Sequence, residues 1–165
     1  MLSIRPAEIR DVPAIHEMIV ELAVYEKEPD AVIATPADLE RHLFAGRPAV
    51  YANVAEADGA VVGFSLYFLN YSTWEGRHGI WLEDLYVKPA FRGHGYGKAL
   101  LTELARIAVK NDYRRVEWAV LKWNTPSIEF YRSLGASAME EWDTFRLTGQ
   151  ALERLGAAPF TSEQA

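Results

Sequence analysis

The stretch Leu82-Glu83-Asp84-Leu85-Tyr86-Val87-Lys88-Pro89-Ala90-Phe91-Arg92-Gly93-His94-Gly95-Tyr96-Gly97-Lys98 decides the fold. Residues 79–87 read as a long strand, ended by Lys88-Pro89. Three alternating glycines follow. A helix then starts at Tyr96 and carries a stripe of Leu100, Leu104 and Ile107 to about residue 110. Glycines let a backbone turn tightly and come close to a ligand. The first N–H groups of the helix are unpaired and lie at its positive end. Together they form a pyrophosphate seat, to which Arg92 and Lys98 can add charge.

Two common phosphate motifs fail on this loop. A dinucleotide fingerprint needs Gly-x-Gly-x-x-Gly, but its last position falls on Lys98 or Leu100. A P-loop needs Ser or Thr after Gly97-Lys98 and glycine five residues before Gly97; the chain has Ala99 and Arg92. The pattern that fits is Arg-x-x-Gly-x-Gly, as Arg92, Gly95 and Gly97. Taken alone, such a loop can also be an ordinary strand-to-helix turn.

Upstream, residues 2–6 read as a short strand and Asp11 caps a helix to about residue 27, with Ile15, Ile19 and Leu22 at helical spacing. Thr35-Pro36-Ala37-Asp38 opens a second helix, which Gly46 is expected to end. Strands 50–57 and 60–69 are joined by Asp58-Gly59, a tight-hairpin signal. Downstream come a strand at 116–121, a short helix at 126–134 stopped by Gly135, and a last strand containing 145–147. The hairpin excludes an all-parallel sheet. The expected class is α/β (α+β): a mixed, mostly antiparallel central sheet flanked by helices. Residues 1–150 are expected to form one domain and 151–165 a tail, with 159–165 fraying.

Bulk properties narrow the function. The 165 residues suit one core, and half of them are apolar. No apolar run reaches the roughly 18 residues of a membrane span, and the start lacks the pattern of a secretory signal. The absence of cysteine excludes disulfides, thiol nucleophiles and thiolate metal sites, and fits a cytoplasmic protein. A net charge of −6 argues against nucleic-acid binding. His16, His42, His78 and His94 show no metal-ligand spacing, so no metal is expected.

With its strand, loop and helix, Arg92-x-x-Gly95-x-Gly97 resembles the CoA-binding motif of the GNAT (Gcn5-related N-acetyltransferase) superfamily. Asn124-Thr125-Pro126-Ser127-Ile128-Glu129-Phe130-Tyr131 resembles its second motif. Tyr25-Glu26, Tyr71-Ser72-Thr73-Trp74 and Trp81-Leu82-Glu83-Asp84 make the chain similar to the spermidine/spermine (diamine) N-acetyltransferase family over residues 4–147. Leu85-Tyr86 and the Trp74 segment are closer to that family's thialysine-acetylating branch. The Asp58-Gly59 turn is shorter than the loop of several animal members.

The resemblance implies acetyl transfer from acetyl-CoA to a primary amine of a small cation, by direct attack in a ternary complex. No protein nucleophile is then needed. It implies Tyr131 as general acid at the thioester sulfur; without it, Tyr131 reads as an aromatic anchor on the core. It implies Glu83 as the residue that binds the amine and passes on its proton, with Asp84 as the alternative acceptor. By strand alternation Glu83 shares a face with Trp81 and Leu85, is expected to be partly buried, with a raised pKa unless it is paired, and could equally be a carboxylate satisfied by backbone N–H groups.

Tyr25, Glu26, Trp74 and Asp143 are implied amine-site residues. Glu26 and Asp143 otherwise read as solvated carboxylates. The cofactor is expected along Leu85, Tyr86 and Val87, at Arg92, Gly93, His94, Gly95, Tyr96, Gly97 and Lys98, and at Asn124, Ser127 and Tyr131. His94 reads as a loop side chain rather than a base. A homodimer is implied, to which Trp118, Trp123 or Trp142 could contribute if they are not core. Two other functions fit parts of this pattern: an acyl-CoA sensor without chemistry, and acetylation of protein N-termini or lysines.

Overall fold

The computed structural model describes residues 1–159. The expectation for 159–165 falls, from residue 160 on, outside the described residues. The chain forms two compact units, Met1–Trp123 and Asn124–Ala165.

In the first unit β1 (Leu2–Pro6) leads through a 3-10 turn into α1 (Val12–Tyr25), then α2 (Pro36–Phe44). β2 (Tyr51–Ala57), β3 (Ala60–Ser72) and β4 (Arg77–Val87) form an antiparallel meander. α3 (Tyr96–Lys110) and β5 (Val116–Trp118) close the unit. Among the described residues five strands lie in sequence order, and only the β4–β5 pair is parallel. This is the expected mixed, mostly antiparallel sheet.

Local chemistry explains several boundaries. Asp58 and Gly59 both take positive φ, 49° and 84°, as a hairpin turn with the twist of its strands requires. At α2, the Asp38 N–H donates to Thr35 Oγ1 at 3.2 Å and the Thr35 N–H donates to Asp38 Oδ2 at 2.9 Å, a reciprocal cap. Gly46 does not end that helix. Ala45 turns extended (φ −62°, ψ 160°), so the chain leaves α2 without a left-handed residue.

β5 is shorter than expected, ending at Trp118 rather than residue 121. Its ladder stops where Trp118 faces Leu82. The next residue of β4, Glu83, is an extra residue in the strand: Leu66 faces Asp84, and Tyr67 faces Leu82. A bulge locally breaks pairing and bends the strand away.

Helices cover both faces of the sheet. On one, Ile15 and Met18 of α1 and Leu43 of α2 pack with Val54, Phe64, Leu66 and Tyr86. On the other, Leu100 of α3 packs with Ala55, Ala57 and Val62, joined by Ile4, Leu85 and Val87.

One ionic cluster ties β1 to its neighbours. Arg5 donates to Asp11 at 2.7 and 3.0 Å and to Glu56 at 2.7 Å. Burial pushes the Asp11 carboxyl up, but the Arg5 guanidinium and the Glu8 N–H outweigh it and hold the pKa below its usual value. Arg5→Ala would leave that carboxylate buried and unpaired. We expect a loss of about 3 kcal/mol, read as a fall of about 6–12 °C in Tm for a chain of this size. In the wild type, Asp11's contribution is complete at neutral pH. It disappears as pH falls through the lowered value, below about 4.

The second unit holds α4 (Thr125–Ser133) and α5 (Gly149–Gly156). The strand expected at 145–147 does not form, and Phe145 is 94% exposed. A short β-like run becomes a strand only beside a partner, and the described sheet ends at five.

Candidate active site

Beyond Leu82, β4 has β3 on one side and no described strand on the other. Residues 83–87 therefore form a splayed strand edge, and the Gly93–Gly97 loop follows directly. Leu85 and Val87 are half-buried there. Tyr86 points the other way: its ring is in the α1-side core and its hydroxyl donates to Glu21 at 2.8 Å. Burial and the adjacent Glu21 carboxylate push the Tyr86 phenol up to about 12. Only its backbone is left for a cofactor.

In the loop, Gly93 and Gly95 need their glycines for backbone reasons, with φ of 79° and 85°. Gly97 does not. It lies in the first turn of α3 with ordinary φ, and a Cβ there would meet only Val87 Cγ2, at 3.9 Å. Neither strain nor packing explains a glycine in that helix, where alanine is intrinsically better. The first intrahelical bond runs from the Ala99 N–H to the Gly95 carbonyl at 2.9 Å, so the amides of Tyr96, Gly97 and Lys98 are the helix's free donors. Tyr96 packs edge-on against Phe91, and the Lys98 side chain is exposed. His94 Nδ1 lies 2.8 Å from the Arg92 carbonyl, a loop contact rather than a catalytic one.

Arg92, expected to add charge to the phosphate seat, donates from Nε to the Val87 carbonyl at 2.9 Å, and its guanidinium lies 5.5 Å from the Tyr25 ring and 5.3 Å from the Tyr86 ring. It fastens the loop to the end of α1.

The bulge sets the carboxylates. Glu83 is exposed, not partly buried as alternation suggested, and accepts a bond from the Trp81 indole N–H at 3.1 Å. The shielded group is Asp84. Burial first, then repulsion from Glu83 and Glu26, raises its pKa from 3.8 to about 6. Glu26, at the end of α1, is raised by burial and by Glu83. These three carboxylates feel each other, and none forms a salt bridge among the described residues. Such a group favours a cation placed among it. Tyr25 stands beside it, with its ring 5.9 Å from that of Trp123.

Trp74 is not brought to this group. It is 85% exposed in the β3–β4 turn. From Arg77 to Glu83 the strand alone runs about 20 Å at its usual rise per residue.

The second unit carries the other expected residues. Asn124 is buried and its carbonyl accepts the Ile128 N–H at 3.1 Å, opening α4. Ser127 and Tyr131 follow on the same helix face, both half-buried. Asp143 is exposed beyond the helix.

A family model described as "Acetyltransferase (GNAT) family" matches residues 13–136. The chain belongs to the GNAT acetyltransferase family. It is 38% identical to the thialysine N-epsilon-acetyltransferase of Bos taurus, over 92% of this chain and 95% of that one. It is 32% identical to the L-ornithine N5-acetyltransferase of Arabidopsis thaliana, over 92% and 86% respectively. Among solved structures, an integron cassette protein from V. cholerae superposes with a TM-score of 0.80 at 26% identity, covering 95% of this chain and 98% of that one. This GNAT protein is thus an N-acetyltransferase, and acetyl-CoA is the co-substrate of its family. The open space over Gly97 and the free donors around it fit a phosphate group.

Sequence reasoning missed three contributors. Glu21 holds Tyr86. Trp123, left between core and interface, packs on Tyr25. Lys27 lies over Trp123, with Nζ 4.2 Å from the ring centroid. Only Trp123 carried a signal, as a large apolar residue near a motif. The others depend on contacts between distant segments.

Proposed function

We propose that this enzyme acetylates the primary amine of a small cationic substrate: a diamine, a polyamine or a thialysine-like amino acid. The observation that carries the reading is the group of Glu26, Glu83 and Asp84, in mutual repulsion and without a described cationic partner. The named substrates of the two relatives, thialysine and L-ornithine, support it, since both are amino acids with a side-chain amine.

Bound acetyl-CoA supplies a thioester carbonyl carbon for the amine to attack. Leu85 and Val87 hold its arm through backbone groups, and the amides of residues 96–98 hold its phosphates. Lys98, Asn124 and Ser127 assist binding. Glu83, exposed at the bulge, receives the substrate ammonium together with Glu26. An alkyl ammonium has a pKa near ~10 and must lose a proton to react. Asp84, whose pKa burial and the neighbouring carboxylates raise to about 6, takes that proton. Tyr131 gives its hydroxyl proton to the departing sulfur. Exposed Met139, Trp142 and Phe145 support the homodimer that the family resemblance implies.

The test is CoA release from acetyl-CoA against polyamines, short diamines, thialysine, lysine, ornithine and peptide N-termini. Turnover with a small cation is expected. Glu83→Gln should raise KM, and Tyr131→Phe should lower kcat only about tenfold, because a thiol of pKa near 8.5 leaves with little help. CoA binding without turnover on any amine would replace the enzyme reading with the sensor reading.

A further inference from the structure

One face of α1 grips the end of β4 and the loop after it. Glu17, Glu21 and Tyr25 are spaced four residues apart, so they follow one another along the same side of the helix. Each meets a different residue of the segment that leads into the glycine loop. Glu17 Oε1 lies 3.4 Å from Lys88 Nζ, which is also 3.9 Å from Glu21. Glu21 accepts the Tyr86 hydroxyl at 2.8 Å. The Tyr25 ring lies 5.5 Å from the Arg92 guanidinium. These three rungs are not equal. Glu17 is 62% exposed, so water weakens its pairing with Lys88. Only the middle rung has a buried member, the side chain of Tyr86.

Tyr86 sits between the two strand residues whose backbone is open. Alternation turns its ring into the α1-side core, while Leu85 and Val87 pack on the α3 side. Residues 83–87 have β3 beside them and no described strand on the other side. Their position therefore depends on β3 and on what packs against their faces. A buried hydroxyl without an acceptor is costly. If Glu21 offered none, the phenol could reach water only by lifting out of the core, and the strand would move with it.

We propose that Glu21 is a positioning residue for the cofactor: by accepting the Tyr86 hydroxyl it holds the backbone of Leu85 and Val87 where acetyl-CoA docks. It acts through Tyr86 rather than on the cofactor. This rests on the acetyltransferase reading above, in which that backbone receives the cofactor's arm. Without the bond the strand is shared among several positions, one of which fits the cofactor. Affinity then falls by the fraction of molecules in that position.

Calorimetric titration of the full chain with CoA, beside a thermal melt, tests this. Glu21→Leu and Glu21→Ala, at a helix position 33% exposed, should fold and weaken CoA binding by about tenfold. Glu21→Gln keeps an oxygen for the hydroxyl and should hold the wild-type affinity, although it loses the charge facing Lys88. Arg5→Ala is the control for stability. Arg5 lies on β1, separated from β4 by β2 and β3, so its lower Tm should come with unchanged CoA affinity. Wild-type affinity in both Glu21→Leu and Glu21→Ala would overturn this inference and leave the cofactor reading intact. An equal loss in Glu21→Gln or in Arg5→Ala would do the same. No CoA binding by the wild type would overturn both.

Discussion

Gly97→Ala is expected to weaken CoA binding by about 100-fold, or about 2.7 kcal/mol, while leaving the fold unharmed. The two effects have separate causes. In the protein alone the added methyl meets nothing nearer than 3.9 Å, and the backbone φ is ordinary. Alanine is also the better helix former, so Tm should hold or rise slightly, by up to about 0.5–1 kcal/mol in stability. Against a bound phosphate the same methyl stands where the helix's free amides have to reach oxygen. Gly95→Ala offers the contrast. Its φ of 85° strains any residue with a Cβ, so that variant should lose both binding and stability. Calorimetric titration with CoA and a thermal melt on each variant separate the cases. Unchanged CoA affinity in Gly97→Ala would remove the loop from the cofactor site.

Gly97 also shows what the sequence made legible. The order of strand, glycine loop and helix was readable because each part is a local signal, and α3 runs over the expected residues 96–110. The Asp58-Gly59 turn and the Thr35 cap were readable for the same reason. What was hidden depends on pairing between distant segments. The alternation rule placed Glu83 on a half-buried face and Asp84 opposite. One extra residue against β3 left Glu83 in solvent and put the shielding on Asp84. The contacts of Arg92 with Tyr25, Tyr86 and the Val87 carbonyl had no signal in the sequence. Residues 145–147 have strand-like composition, but a strand is a property of two segments. Lys27, with φ 66°, carried no signal, because a positive φ at a lysine comes from how the helix exit is held.

The proposed proton acceptor is therefore Asp84, the alternative to the Glu83 that the family resemblance implied, and Asp84→Asn tests it. A carboxylate near 6 is half-ionised just below neutrality and can accept a proton there, so kcat/KM should rise through a limb near pH 6 in the wild type. Asparagine keeps the shape and loses the acceptor. We expect kcat/KM at pH 7 to fall by about 100-fold, with that limb abolished. Stability should move the other way. The folded state raises Asp84 from 3.8 to about 6, so between those values it binds more protons than the unfolded chain. Wild-type stability therefore decreases as pH rises through this window, and the full penalty applies above it. Removing the charge should recover about 1–3 kcal/mol at pH 7 and flatten the pH dependence of unfolding between about 4 and 6. A more stable and much less active variant is the combined result expected of a carboxylate kept in a cation site at a cost to the fold. If Asp84→Asn keeps the limb near pH 6 and Glu83→Gln abolishes it, the proton goes to Glu83, and the shielding of Asp84 then serves only to bind the amine.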